Sequence, residues 1–201
     1  FGSDRENRTN LYAITIETGE ITQLTDLAPV GLPRETQFLS TYVNPTRDEA
    51  YFWYDRDLRA LDLTTLEQKT IWTMPEGFRR SMISCTADGV SVCAGIYEDF
   101  SDRFRIDTSR GYIGFREIFE SHPESRIMCV AADGSGAECA WKEDCWIGHV
   151  NASPTEAHLL TFCHEGPWDR VDNRIWGLDL TTRDAWMIRH PEHGESVGHE
   201  Y

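Results

Sequence analysis

The chain has 201 residues, with 34 Asp and Glu against 19 Lys and Arg, a formal net charge of −15. Hydrophobic residues make up 40% and aromatics 11%, enough apolar material for a sizeable core, which excludes a disordered chain. No apolar run approaches the ~18 residues of a membrane span, and the acidic balance argues against nucleic-acid binding, which needs a basic face.

The first predicted element is a hairpin over 10–24, two short strands around the turn ETGE. Residues 41–53 read as strand, turn and strand around NPTRDE. A second hairpin follows over 58–72, with the turn TTLEQ, and a second linking pair over 83–94, with the turn TADG. Residues 99–124 form an insertion. Within it Phe115, Ile118 and Phe119 have i, i+3, i+4 spacing, which predicts a short amphipathic helix near 113–121, ended by His122-Pro123. The insertion is expected to cover a blade edge or to form a lid. A third hairpin spans 125–141 around AADGSG, a third linking pair spans 149–162 around SPTEAH, and a fourth hairpin spans 173–188 around TTRD.

These units repeat. Leu11, Leu58, Ile127 and Ile175 hold matched places, separated by 47, 69 and 48 residues, the long interval being the one with the insertion. Four antiparallel strands per ~45 residues is the spacing of a β-propeller blade. An ordinary β-sandwich would not repeat one turn chemistry at a near-constant period. The fold class expected is therefore all-β, a β-propeller with about four blades covered. Residues 1–201 are expected to be a partial propeller domain cut at both ends, since FGSDRENRTNLY opens and VGHEY closes without a finishing element.

The six cysteines, Cys85, Cys93, Cys129, Cys139, Cys145 and Cys163, form no CxxC pair, which argues against a zinc ribbon or a thioredoxin motif. Cys93, Cys129 and Cys163 sit in apolar runs and read as small core residues. No Ser-His-Asp spacing, P-loop or GxGxxG appears.

In a propeller the first strand of each blade lines the central channel, so residues starting successive first strands can converge on one ligand. One such start is Trp146-Ile-Gly-His149 and the next is Val197-Gly-His199. The two histidines stand 50 residues apart, each after a glycine, and their repetition is hard to explain as core filling. His164, in Phe162-Cys-His-Glu-Gly-Pro-Trp168, ends the second strand of a blade and could serve a ligand or a turn. His122, His158, His190 and His193 read as solvated. Arg126 and Arg174 occupy equivalent places in two hairpins, a structural signal first, because the stem can pack along a blade face.

Across 146–201 the segments Trp146-Ile-Gly-His-Val, Phe162-Cys-His-Glu-Gly-Pro-Trp, Val171-Asp-Asn-Arg-Ile-Trp-Gly-Leu and Glu195-Ser-Val-Gly-His-Glu-Tyr201 resemble the oligogalacturonate lyase family. Asp55-Arg-Asp-Leu-Arg-Ala-Leu-Asp-Leu and the blade pattern extend the likeness loosely over nearly all the chain. The resemblance implies a seven-bladed propeller that cleaves short oligogalacturonides by β-elimination with a bound manganese, in pectin catabolism in the cytoplasm. It implies that His199 is a metal ligand, completed by a glutamine and two histidines beyond Tyr201. It further implies that His149 is the base, that Arg126 is the catalytic arginine, and that His164 contacts the substrate, with neither nucleic acid nor membrane as partner. The metal and the arginine would supply the local positive charge that an acidic chain otherwise lacks. The competing expectations are a non-catalytic TolB-like propeller that binds a protein partner and a propeller attached to a serine peptidase. Neither needs the set His149, His164 and His199.

Overall fold

The computed structural model describes residues 1–3, 8–28, 40–107, 111–171 and 173–189. Its strands fall in sequence order into antiparallel sheets. The first holds β1 (Gly2–Ser3), β2 (Asn10–Ile14) and β3 (Ile21–Gln23), in that order. The second holds β4 (Thr41–Asn44), β5 (Glu49–Tyr54), β6 (Asp57–Asp62) and β7 (Gln68–Thr73). The third holds β8 (Phe78–Cys85), β9 (Ser91–Glu98), β10 (Ser125–Ala131) and β11 (Ala137–Glu143), and the fourth holds β12 (Ile147–Ala152), β13 (Leu159–His164), β14 (Ile175–Asp179) and β15 (Ala185–Met187). Each strand pairs with its chain neighbour, so every sheet is a meander. One helix is present among the described residues, α1 (Phe115–Glu120), inside the insertion and within the span the apolar spacing predicts.

The turn chemistry explains why the hairpins recur. In the β6–β7 turn Asp62 Oδ1 accepts from the backbone N–H groups of Thr64 at 2.9 Å and Thr65 at 2.7 Å. In the β14–β15 turn Asp179 Oδ1 accepts from those of Thr181 at 2.7 Å and Thr182 at 3.1 Å. Both carboxyls are held below the usual range by these backbone hydrogen bonds. Each turn closes four residues on, where Leu66 N–H reaches Asp62 O and Arg183 N–H reaches Asp179 O, at φ of 62° and 64°. The β2–β3 turn closes in the same way, with Gly19 N–H on Thr15 O and φ 72°. Three of the four hairpins thus share one turn, and Gly19 carries its left-handed residue without strain.

Alternating apolar positions send side chains to both faces of each sheet, and the sheets pack face to face. Trp53, Leu58 and Ile71 of the second sheet meet Ile83, Val92, Ile96 and Val130 of the third. Cys93 and Ile127 of the third meet Ile147, Val150, Leu160, Phe162 and Leu178 of the fourth. Leu11 of the first sheet meets Phe52 and Leu61 of the second. First strands lie side by side, β4 beside β8 and β8 beside β12. Asn44 Nδ2 donates to Gly89 O at 2.9 Å, and Ser84 Oγ accepts from Ala152 N–H at 2.8 Å. All six cysteines are free thiols, with Cys93 and Cys163 fully buried and Cys129 half-buried.

The insertion packs through a separate apolar group. Ile118 of α1 joins Tyr97 and Trp146, with Phe104, Ile106, Phe115 and Phe119 around them. It therefore covers the end of the third sheet and the residue that leads into β12.

Candidate active site

His149 stands on β12, the first strand of its sheet, where that strand breaks register. Gly148 pairs with Cys163 and Asn151 with Thr161, so His149 and Val150 together oppose Phe162. This is a β-bulge, a device that re-aims a side chain. Val150 takes the core place, fully buried, while His149 adopts φ 47° and keeps its ring 23% exposed. A non-glycine residue held at positive φ is a strained position that the surrounding packing must maintain.

The ring meets Glu165, which follows the end of β13. His149 Nε2 lies 3.2 Å from Glu165 Oε1. The same oxygen receives Arg174 Nη2 at 3.2 Å and the Cys163 thiol at 3.3 Å. Burial pushes the Glu165 carboxyl up, but the hydrogen bonds from His149 and Cys163 and the Arg174 charge outweigh it and hold the pKa below the usual range. Gly148 makes this arrangement possible. A Cβ there would stand 2.6 Å from Glu165 Cγ and 2.8 Å from its Oε1. Beyond Glu165, Gly166 sits against Phe119 of α1, with a would-be Cβ only 2.4 Å from that ring. The insertion thus closes directly over the loop that supplies the carboxylate.

His164 occupies the other face of β13. It shares that face with Phe162, which packs toward the third sheet, and its Nε2 lies 2.8 Å from Glu143 Oε1 of β11. Trp176 lies beside the ring at 5.0 Å. Burial alone would lower its pKa, but hydrogen bonds to Cys145 and Glu143 raise it from 6.5 to about 9. The protonated ring is thus a tie between two sheets. Because the folded pKa is raised, the stability it contributes is complete below about pH 6.5 and is lost as pH rises through about 9. Chemical denaturation from pH 6 to 10 should show this loss, on the order of 3 kcal/mol. Glu143→Gln should remove part of it and Cys145→Ala a larger part, and an unchanged pH dependence in both variants would show that neither is the partner that matters.

The structure does not bring Arg126 to His149. Arg126 lies on β10, the third strand, with Nε 2.7 Å from Glu124 Oε1 and its guanidinium 4.5 Å from the centre of the Phe78 ring. It shares a face with Met128 and Val130, which pack toward the second sheet. The arginine that joins the His149 group is Arg174, its equivalent one sheet later. His199 lies outside the described residues.

Two arginines at the start of β8 carry no role in the sequence reading, although the first-strand rule points to them. Arg79 lies 3.3 Å from Asp99 and interacts with the buried Tyr97. Arg80 donates to the backbone oxygen of Asp55 at 2.8 Å, and burial lowers its pKa. It pairs with Ile96, which pairs with Arg126, so Arg80 and Arg126 flank one residue on one face.

His149, Cys163 and Glu165 are close enough to share an ion, with donor atoms within 4.8 Å of one another. The donor set does not suit manganese well. The thiol is soft where manganese favours carboxylate and imidazole, and the Arg174 guanidinium already sits on the shared oxygen. The cluster is better matched to proton transfer, with an imidazole backed by a carboxylate.

Sequential four-stranded meanders, packed face to face with their first strands adjacent, make the chain part of a β-propeller, and a carboxylate-held histidine on one first strand gives it an acid–base group. The oligogalacturonate lyase family profile matches residues 1–201, and the chain belongs to that family. An oligogalacturonide lyase from Pectobacterium atrosepticum is 28% identical over 208 residues, covering 100% of this chain and 50% of that protein. An oligogalacturonate lyase from Dickeya dadantii is 26% identical with the same coverage. A solved oligogalacturonate lyase in complex with manganese superposes with a TM-score of 0.83 at 24% identity, over 100% of this chain and 51% of that one. TolB from Acinetobacter baumannii shares the fold alone, with a TM-score of 0.59 at 14% identity, over 97% of this chain and 41% of that one. The chain spans about half the length of the curated relatives it matches.

Proposed function

We propose that this chain carries the base-bearing part of a lyase that cleaves short oligogalacturonides by β-elimination, within pectin catabolism in the cytoplasm. The observation that carries the reading is His149, turned out of β12 by a bulge and backed by the half-buried carboxylate of Glu165. In a galacturonate the C5 proton is acidified by the adjacent carboxylate group only once that group's charge is offset. The His149 imidazole takes the C5 proton. The electron pair left on C5 forms the C4–C5 double bond, the C4–O bond breaks, and the departing glycosidic oxygen takes a proton from solvent, while the proton on His149 later returns to solvent. No water is added across the bond, which separates this reaction from hydrolysis.

A divalent metal such as manganese would supply Lewis-acid stabilisation of the substrate carboxylate as charge develops. The manganese in the solved relative supports this, and the ligand role belongs in this reading to His199 with donors from the rest of the ring. For the arginine that pairs with the uronate we retain Arg126 and place Arg80 beside it. Arg80 lies at the start of a first strand, and its guanidinium could pair with a carboxylate in a bidentate fork. His164 enters the reading as a charged group at the strand end near the substrate, secondary to its tie to Glu143.

The test is the full-length protein with digalacturonate, with metal present, stripped and restored. Ultraviolet-absorbing unsaturated product should appear with metal, fall away on chelation and return on readdition. No product under any of the three conditions would favour a non-catalytic binding propeller.

A further inference from the structure

The two strands that lead into and out of the insertion, β9 and β10, carry two of the free thiols face to face. Cys93 and Cys129 are direct cross-strand partners. They belong to one row across the third sheet, in which Ser84 of β8 opposes Cys93 and Glu138 of β11 opposes Cys129. The two thiols are hydrogen-bonded to each other. Directly opposed residues of an antiparallel pair stand about 4.5–5.5 Å apart at Cα, inside the roughly 4.4–6.8 Å that a disulfide spans. Their Cβ atoms, about 4.5–5.5 Å apart, are slightly wider than the roughly 3.5–4.5 Å of a relaxed disulfide. A bond between them would need only a small local shift, and its strain would make it readily reduced.

The two thiols differ in access. Cys93 is fully buried, packed with Ile147 and Val150 of the fourth sheet, whereas Cys129 is half-buried against the same cluster. Arg183, from the β14–β15 turn, reaches this edge of the sheet. Its Nη2 lies 2.9 Å from Glu138 Oε1, and its Nη1 donates to the Cys139 carbonyl at 2.8 Å. The hydrogen bond from Cys93, with the Arg183 charge behind it, holds the Cys129 thiol below its usual range against burial and the Glu138 charge. The same hydrogen bond, with burial, holds the Cys93 thiol well above its usual range.

We propose that Cys93 and Cys129 form a redox-active dithiol, a modification site for small disulfides of the oxidised glutathione class, with Cys129 as the attacking thiol and Cys93 as the resolving one. The Cys129 thiolate attacks one sulfur of the small disulfide, whose S–S bond breaks and releases one thiolate. Cys93 gives up its proton and attacks the Cys129 sulfur of the mixed disulfide. The second small thiolate departs, and the Cys93–Cys129 bond remains. Two protein thiols are oxidised, one small disulfide is reduced to two thiols, and the two protons pass to the departing thiolates. The loop so closed contains the whole insertion, so the bond staples together the two strands that carry it. Nothing in this step depends on which group acts as the base toward the substrate. A strained bond of this kind is the transient, regulatory sort rather than a structural staple.

The test treats the full-length protein, reduced beforehand, with oxidised glutathione and maps its cysteines by mass spectrometry of protease digests. The unsubstituted protein should yield a peptide pair linked through Cys93 and Cys129, which dithiothreitol separates again. Cys93→Ala should stop at the intermediate, with glutathione on Cys129. Cys129→Ala should leave the buried Cys93 unmodified, and Cys139→Ala, at an exposed thiol, should leave the Cys93–Cys129 link intact. In the unsubstituted protein, glutathione that stays on Cys129, a Cys129 that links to Cys139 instead, or a Cys93–Cys129 pair still reduced once Cys139 is fully glutathionylated would each overturn the proposal. These readouts hold even if a variant fails to fold. Glutathione on Cys93 in Cys129→Ala would overturn the assignment of attacking and resolving thiol.

Discussion

His149→Ala should lose most turnover while keeping its metal. General-base removal typically costs roughly 10²–10⁴-fold in rate, and no other imidazole among the described residues is placed to replace it. His164 is bound to Glu143 on the opposite face of β13, and His122 and His158 are exposed. Added metal should not restore the rate, because the defect lies in proton transfer. The fold should tolerate the change. Val150, not His149, fills the core position at the bulge, and alanine removes a ring that is already 23% exposed. The check is steady-state turnover of digalacturonate by the full-length variant, with metal content measured on the same sample. Loss of metal together with activity would make His149 a ligand and move the proton to another group.

His199→Ala should give the converse result. Even groups one step removed from a metal cost roughly 10–100-fold in affinity when changed, so loss of a direct ligand should weaken binding by more than about 100-fold. Activity should fall with metal occupancy and recover in part when metal is added in excess, by mass action. Titration of the metal-free variant, followed by assay across metal concentration, measures both. If saturating metal leaves His199→Ala inactive while occupancy is complete, His199 acts on the substrate and the metal is held elsewhere.

The repeat made the fold legible. Turns such as TTLEQ and TTRD carry their own instructions, an Asp that binds the next backbone N–H groups and a residue four places on in the left-handed region. Nothing distant is needed to form them, so they can be read from the string alone. The helix at Phe115–Glu120 was legible for the same reason, since its apolar spacing is local. His149 could be found because Gly-His recurs 50 residues further on in the sequence. Its surroundings could not. Glu165 lies in a motif the sequence reading singled out, but its contact with His149 depends on a bulge that displaces the pairing between Gly148 and Asn151, and no residue type announces that. Arg126 and Arg174 are equivalent in the repeat, yet one faces Glu124 and the other Glu165. Arg126 finds its carboxylate two residues back, just before its own strand, whereas Arg174 finds one just past the end of the neighbouring strand β13, a tertiary matter that repeat position leaves open.

The central claim, that His149 removes a proton from C5 of a uronate, is most directly tested with digalacturonate deuterated at C5 of the ring whose C4 carries the glycosidic oxygen. The full-length enzyme should release that deuterium to solvent and yield an unsaturated fragment without it, slowly or not at all when His149 is replaced by alanine. Cleavage that leaves the deuterium in the product would contradict the account, because the bond would then have broken without the proton transfer for which His149 and Glu165 are arranged.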